Sequence, residues 1–211
     1  MKKITAVIFD CDGVMFDSRQ ANVNYYNHIL AQFDLPPMTE AEVDFVHMNT
    51  AVESVRHIFR RTPHEEQAQA YRTQMDYTQF IKDMVMEPGL KELLKELKPK
   101  FGLAVATNRS NTIGKVLESN GLDPYFDIVV SSLDVENPKP HPESIFKIID
   151  FFGIEPEACI YIGDSEVDQA TCQAGGIPLI AYKNKDLEAQ FHINRLAEVK
   201  GCIDLISIKG L

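Results

Sequence analysis

The sequence predicts an α/β fold, a doubly wound parallel sheet with a long helical insertion, and three observations predict it. Short apolar runs without polar alternation recur along the chain: residues 4–9 (ITAVIF), 103–106 (LAVA), 128–131 (IVVS), 159–162 (CIYI) and 178–181 (PLIA). Parallel strands covered on both faces require such runs. Helical patterns separate the later runs, as in alternating strand–helix architectures. Between the first and second runs lie about ninety residues, far more than a simple crossover needs.

The elements follow in order. The chain opens MKKITAVIFD, two lysines and then an apolar run. A secretory signal would need a longer run and a small-residue cleavage site, so this is expected to be the first buried strand. Residues 17–86 carry helical patterns at 21–33, 40–47, 52–61 and 64–85, split by Pro36-Pro37 and Thr62-Pro63, with no clear strand. The expected organisation is a core of residues 1–16 and 87–211 with a small all-α domain, 17–86, inserted into it. In the core, LKELLKEL at 90–97 has apolar residues at helical spacing after Pro88-Gly89. A second helix, 111–120, stops at Gly121, and a third starts at Pro142 and stops at Gly153. That is the usual proline-start, glycine-stop asymmetry. A fourth, 165–174, ends at Gly175-Gly176, and 202–206 (CIDLI) reads as a weaker sixth strand.

Composition excludes several function classes. Against 21 Lys and Arg stand 31 Asp and Glu, a net charge of −10 in 211 residues. Nucleic-acid binding needs a basic surface, so it is not expected. No apolar run approaches the roughly 18 residues of a membrane span. Cys11, Cys159, Cys172 and Cys202 form no CxxC pair; they read as reduced thiols of a cytoplasmic protein.

Four segments carry polar residues at strand ends. After the first run comes Asp10-Cys11-Asp12-Gly13. Alternation in an extended segment sends Asp10 and Asp12 to one side and Cys11 into the core; an acidic turn bent by Gly13 is the structural alternative. After the second comes Thr107-Asn108-Arg109, whose hydroxyl and N–H groups suit an anion or simply cap a helix. After the third, Glu136-Asn137-Pro138-Lys139-Pro140-His141-Pro142-Glu143 has three prolines that stiffen the segment and let Lys139 be aimed. His141 reads as a turn residue. After the fourth, Gly163-Asp164-Ser165-Glu166-Val167-Asp168 sets two acids on one face of a helix start, a placement the helix dipole also favours.

Taken together, these segments meet at one sheet edge. Asp10, Asp12, Asp164 and Asp168 cannot all stay ionised there without a cation. Oxygen-only ligands with room for a phosphate suit Mg²⁺. With Lys139 as a further cation, the set meets the needs of phosphoryl transfer.

DCDGV, TNR, NPKPHPE and GDSEVD, in this order and spacing, resemble the haloacid dehalogenase superfamily. The helical insertion after the first motif resembles the cap of its phosphoglycolate-phosphatase-like and β-phosphoglucomutase-like branch. The resemblance implies a Rossmann-like core, a mobile cap and Mg²⁺-dependent hydrolysis through an aspartyl-phosphate. By motif, Asp10 is the implied nucleophile and Asp12 the acid and then base. Asp10, the Asp12 carbonyl and Asp164 are implied metal ligands, with Asp168 a further ligand or a support. Thr107 and Lys139 would bind the phosphoryl oxygens, and Lys139 would pair with Asp10. Asn108 and Gly13 would contribute backbone groups. Dehalogenases of the family lack an acid at the Asp12 position, so the resemblance is to a phosphatase.

The insertion departs from the branch. The stretch expected to face the site, His47-Met48-Asn49-Thr50, has no glycine. Either Arg56 or His47 is expected to contact the leaving group on closure; alternatively Arg56, Arg60 and Arg61 form a solvated helix face. Arg109 would steer an anionic substrate. The expected partner is a small phosphorylated metabolite, and a monomer is expected over an oligomer. The competing reading is a phosphomutase, with a signalling receiver domain or a non-catalytic binding module more remote.

Overall fold

In the computed structural model, which describes residues 3–209, β1 (Ala6–Phe9) lies at the centre of a six-stranded sheet. An insertion follows it: β2 (Phe16–Asp17), α1 (Arg19–Ala31), α2 (Glu40–Met48), α3 (Ala51–Phe59), α4 (Glu65–Gln74), α5 (Thr78–Ile81) and β3 (Val85–Met86). The core resumes with α6 (Leu90–Leu97), β4 (Gly102–Ala106), α7 (Ile113–Asn120), β5 (Ile128–Val130), α8 (Glu143–Phe152) and β6 (Cys159–Gly163). It ends with α9 (Glu166–Gly175), β7 (Leu179–Tyr182), β8 (Phe191–Ile193) and α10 (Val199–Lys209). Met1 and Lys2, at the expected approach to the first strand, lie outside the described residues.

The sheet runs β5-β4-β1-β6-β7-β8 with every pairing parallel. This is the Rossmann-like doubly wound order, and its direction of winding reverses between β1 and β6. Both faces are covered, as the unbroken apolar runs require. Val7 and Phe9 point into one core and Ala6 and Ile8 into the other. On the first face, α6 buries Leu90, Leu93, Leu94 and Leu97, a stripe at helical spacing. On the second, α8 buries Ile145, Ile148 and Ile149.

The first core continues into the insertion through Tyr25, Ile29 and Phe59. Reciprocal capping boxes, Thr39 with Glu42 and Thr50 with Glu53, start α2 and α3. The two ends of the insertion are zipped by the antiparallel pair β2–β3, with Phe16 opposite Met86 and Asp17 opposite Val85.

Three expectations are corrected. The run 202–206 is helical, within α10, because Cys202, Ile203 and Ile206 make one buried stripe. The sixth strand is instead β8, whose three residues carry too little pattern to be noticed. The single helix expected over 64–85 breaks at Met75, which is extended at φ −74° and ψ 137°. Asp76 then accepts from the Thr78 N–H at 3.0 Å at the start of α5. Val85 and Met86, at the far end of the insertion, pair with Asp17 and Phe16 at its start in the short ribbon that the sequence pattern missed. All four cysteines are free and buried. Among the described residues, no helix is long and apolar enough to cross a membrane.

Candidate active site

The register places the functional residues at one level. Phe9 lies opposite both Val105 and Ile162, so the chain leaves β1, β4 and β6 together at their carboxyl ends. Open α/β sheets bind ligands at such an edge beside the switch point. A cavity of about 390 Å³ opens there between core and insertion. Asp10, Asp12, Thr107, Asn108, Arg109, Lys139, Asp164 and His47 all line it.

Lys139 is aimed, as the flanking prolines require. Its ammonium donates to Asp10 Oδ1 at 2.8 Å, Asp168 Oδ1 at 2.7 Å and the Tyr161 hydroxyl at 3.0 Å, which uses its three donors. Burial works against the ammonium, but Asp10 and Asp168 outweigh it and hold its pKa above the ordinary lysine value. Burial is also the largest influence on Asp10. Asp168 and Asp12 add to it against the pull of Lys139, and the carboxyl is raised to about 7. Asp164 is raised to about 8, by burial first and then by Asp168 and Asp10.

Asp168 is fully buried and held by donors on both oxygens. Oδ1 accepts from Lys139 and lies 2.9 Å from the Tyr161 hydroxyl. Oδ2 accepts from Ser165 Oγ at 2.7 Å and from the N–H groups of Asp164 and Ser165 at 3.2 and 3.3 Å. Despite burial, these contacts keep its pKa below normal.

The turn after β1 brings the remaining carboxylates together. Gly13 has φ +83°, and a Cβ built on it would lie 2.0 Å from Asp164 Oδ2, so only glycine fits. One ligand oxygen from each of Asp10, Asp164 and Asp168 falls within 4.8 Å of the others. This hard-oxygen donor set, with two carboxyls driven toward protonation by burial first and then by their crowding, fits Mg²⁺.

Asp12 is held differently. Arg109 grips it with a fork, Nε to Oδ2 at 2.8 Å and Nη2 to Oδ1 at 2.7 Å, and the Ser18 hydroxyl also donates to Oδ1. Burial raises the Asp12 pKa, but the Arg109 charge and hydrogen bonds, with His47 and Ser18, bring it below the ordinary value. Thr107 Oγ1 accepts from the Arg109 N–H at 3.1 Å, tightening the turn instead of capping a helix. Asn108 Nδ2 donates to the Lys139 carbonyl at 3.0 Å. Cys11 is fully buried in the first core, as alternation predicts. His141 is the turn residue expected, its Nδ1 accepting from the Glu143 N–H at 3.3 Å.

Of the two residues singled out in the insertion, only His47 reaches the cavity, where it lies 3.2 Å from Asn22 Nδ2. Arg56 is exposed and pairs with Glu65 at 3.4 Å, so it stands on the solvated helix face. Sequence reasoning missed Tyr161, Ser18 and Tyr77. Tyr161 left one signal, a hydroxyl within an otherwise apolar strand; the other two left none.

The comparisons with known proteins agree with this fold. The family model described as haloacid dehalogenase-like hydrolase matches residues 7–182. The chain belongs to that family. A solved haloacid dehalogenase superfamily hydrolase, subfamily IA, from Geobacter sulfurreducens PCA is 38% identical, with a TM-score of 0.78. The likeness covers 95% of this chain and 96% of that one. The β-phosphoglucomutase of Clostridium difficile has the same fold, with a TM-score of 0.83 at 18% identity over 98% of this chain and 100% of that one. In sequence, the pyrophosphatase PpaX of Bacillus cereus is 26% identical over 189 residues, 82% of this chain and 81% of that protein. In family terms the chain is a hydrolase.

Proposed function

We propose that the protein is a cytosolic, Mg²⁺-dependent phosphatase that hydrolyses a small phosphorylated metabolite through an aspartyl-phosphate on Asp10. One observation carries the reading: the Asp10 carboxylate lines the cavity while Lys139, itself fixed by Asp168 and Tyr161, holds one of its oxygens. Such a carboxylate is presented with one oxygen occupied and the other available to phosphorus. Residues 17–86 act as a cap whose His47 faces the leaving group. The four buried free thiols support a reducing compartment.

In this reading Asp10 and Asp164, with the Asp12 carbonyl, hold Mg²⁺. When bound, the ion offsets the charge of the phosphate and of the crowded carboxylates. Asp10 attacks phosphorus, and Asp12, once it has left the Arg109 fork and taken up a proton, gives that proton to the departing oxygen. Asp12 then takes a proton from the water that attacks the acyl phosphate, which restores Asp10 and frees inorganic phosphate. Thr107 and Lys139 bind the phosphoryl oxygens, and Asp168 keeps Lys139 in place.

The test is phosphate release from a panel of phosphorylated metabolites, with Mg²⁺ or EDTA, by wild type and Asp10→Asn. Release that needs Mg²⁺ and is lost in Asp10→Asn is the expected result. Conversion between sugar-phosphate isomers without net phosphate release would replace it with the phosphomutase.

A further inference from the structure

The insertion rejoins the core at Glu87, directly after β3. The Glu87 N–H donates to the Met15 carbonyl at 3.0 Å, which ties the returning connection to the outgoing one. Its carboxylate is only 7% exposed and is held from the end of β7. Lys183 Nζ donates to Oε1 at 2.7 Å and to Oε2 at 2.8 Å, and the Tyr182 hydroxyl donates to Oε2 at 2.8 Å. Glu87, Tyr182 and Lys183 do not line the cavity.

A path nevertheless leads from this cluster to the acidic site. Lys183 has φ +53°, in the left-handed region that a residue with a Cβ adopts at a cost. The bonds to Glu87, and a bond from the Lys183 N–H to the Ile193 carbonyl at 2.8 Å, hold it there. The next residue, Asn184, does line the cavity. Its Nδ2 donates to the backbone carbonyl of Asp164 at 2.8 Å, and its Oδ1 accepts from the Asp186 N–H at 3.1 Å. The turn that aims this amide is therefore the one fixed by Glu87. The Asp164 carboxylate packs so closely on Gly13 that a Cβ built there would meet it at 2.0 Å, which leaves it little room to compensate for a shift of its own backbone.

We propose that Glu87 is a positioning residue for Asp164: its ion pair with Lys183 fixes the turn from which Asn184 holds the Asp164 peptide, and so sets where the Asp164 carboxylate stands. The inference takes from the phosphatase reading the role of Asp164 as a Mg²⁺ ligand, and adds a support that reaches it from the root of the insertion. Glu87 acts through two residues and not by contact. Losing either member of the pair leaves the other charge without its partner and releases the strained turn.

Mg²⁺ binding to the whole protein, without substrate, is measured by calorimetry. Glu87→Gln and Lys183→Met are each expected to weaken it about tenfold, the low end of what outer supports of metal ligands contribute. The shared direction is the signature. If only the local field acted, loss of a negative charge and loss of a positive charge would move Mg²⁺ affinity in opposite directions. Lys183→Arg keeps the pair and the affinity. Asn184→Ala weakens Mg²⁺ by a similar factor, and in that background Glu87→Gln adds nothing, because the relay is already cut. In metal-free protein, the carbonyl ¹³C resonance of Asp164 shifts in Glu87→Gln, Lys183→Met and Asn184→Ala and stays in Lys183→Arg.

Unchanged Mg²⁺ affinity in Lys183→Met, whose lysine is half exposed, overturns the proposal even if Glu87→Gln does not fold. So do opposite changes in the two single variants, or a Glu87→Gln effect that persists in full beside Asn184→Ala. If wild type binds no Mg²⁺ yet the Asp164 resonance follows the same variants, the relay stands and the Mg²⁺ assignment falls. If wild type binds Mg²⁺ and neither affinity nor resonance responds, the assignment stands and the relay falls.

Discussion

Lys139 Nζ lies 2.7 Å from Asp168 Oδ1, and the two side chains are only 4% and 0% exposed. The same ammonium reaches Asp10, so Asp168 sets where the cation beside Asp10 stands. Asp168→Asn weakens a buried ion pair and is expected to cost about 3 kcal/mol of stability. It should lower kcat by about 10–100-fold. Because both Asp168 oxygens are already occupied by protein donors, the Mg²⁺ concentration for half-maximal activity should move little. A large rise in that concentration would make Asp168 a metal ligand. Tyr161→Phe removes a smaller part of the same support, about 1–3 kcal/mol by chemical denaturation.

Gly13 is a second point where the site depends on one atom. Its φ of +83° and the 2.0 Å separation between a built Cβ and Asp164 Oδ2 forbid a side chain. Gly13→Ala should cost at least about 1–2 kcal/mol for the backbone conformation alone. It also pushes the Asp164 carboxylate out of the acidic cluster. Thermal unfolding should show a lower Tm and a loss of the Mg²⁺-induced rise in Tm. An unchanged rise would mean that Asp164 does not hold the ion.

The burial of Asp10 and Asp164, with the crowding of carboxylates around them, predicts how metal-free protein responds to pH. Asp10 and Asp164 are raised to about 7 and about 8, whereas unfolded aspartates titrate near 3.9. Between those values the folded state keeps protons that the unfolded state has released. Stability in EDTA therefore falls as pH rises from about 4 to about 8 on account of these groups. Mg²⁺ binds the ionised carboxylates, so its stabilising effect should grow over the same range. Melting at pH 5 and pH 8, with Mg²⁺ or EDTA, checks it. A Mg²⁺ effect larger at pH 5 would contradict the assignment.

The parts of this site that were legible in the sequence are those set by chain order and strand ends. Asp10, Asp164 and Lys139 each follow an apolar run, so topology alone brings them to one edge. The pairing of Arg109 with Asp12 was not legible, because it joins positions 97 residues apart through the reach of one side chain. Tyr161 sits within an apolar strand run, where nothing in the sequence names a partner for its hydroxyl. The run 202–206 has an apolar content that suits either a short strand or one face of a helix, and packing into the first core decides between them. In the insertion, the capping boxes were available in Thr39–Glu42 and Thr50–Glu53, but the break at Met75 has no glycine or proline to announce it.

The insertion offers the last contrast. His47 lines the cavity and is 3.2 Å from Asn22, whereas Arg56 points to solvent with a side chain 64% exposed, beside Glu65. An exposed ion pair of this kind contributes about 0–1 kcal/mol. Arg56→Ala should therefore leave both Tm and kcat/KM close to wild type. His47→Ala removes a polar group from the cavity wall opposite the reacting centre and loosens Asn22 on α1. Its expected effect is a rise in KM of about tenfold, the loss of one hydrogen bond to bound substrate, with a smaller change in kcat. Steady-state kinetics on the best substrate of the panel measures both variants. A fall in kcat/KM for Arg56→Ala, with His47→Ala unaffected, would mean that the insertion swings far enough on closing to exchange the two residues at the site.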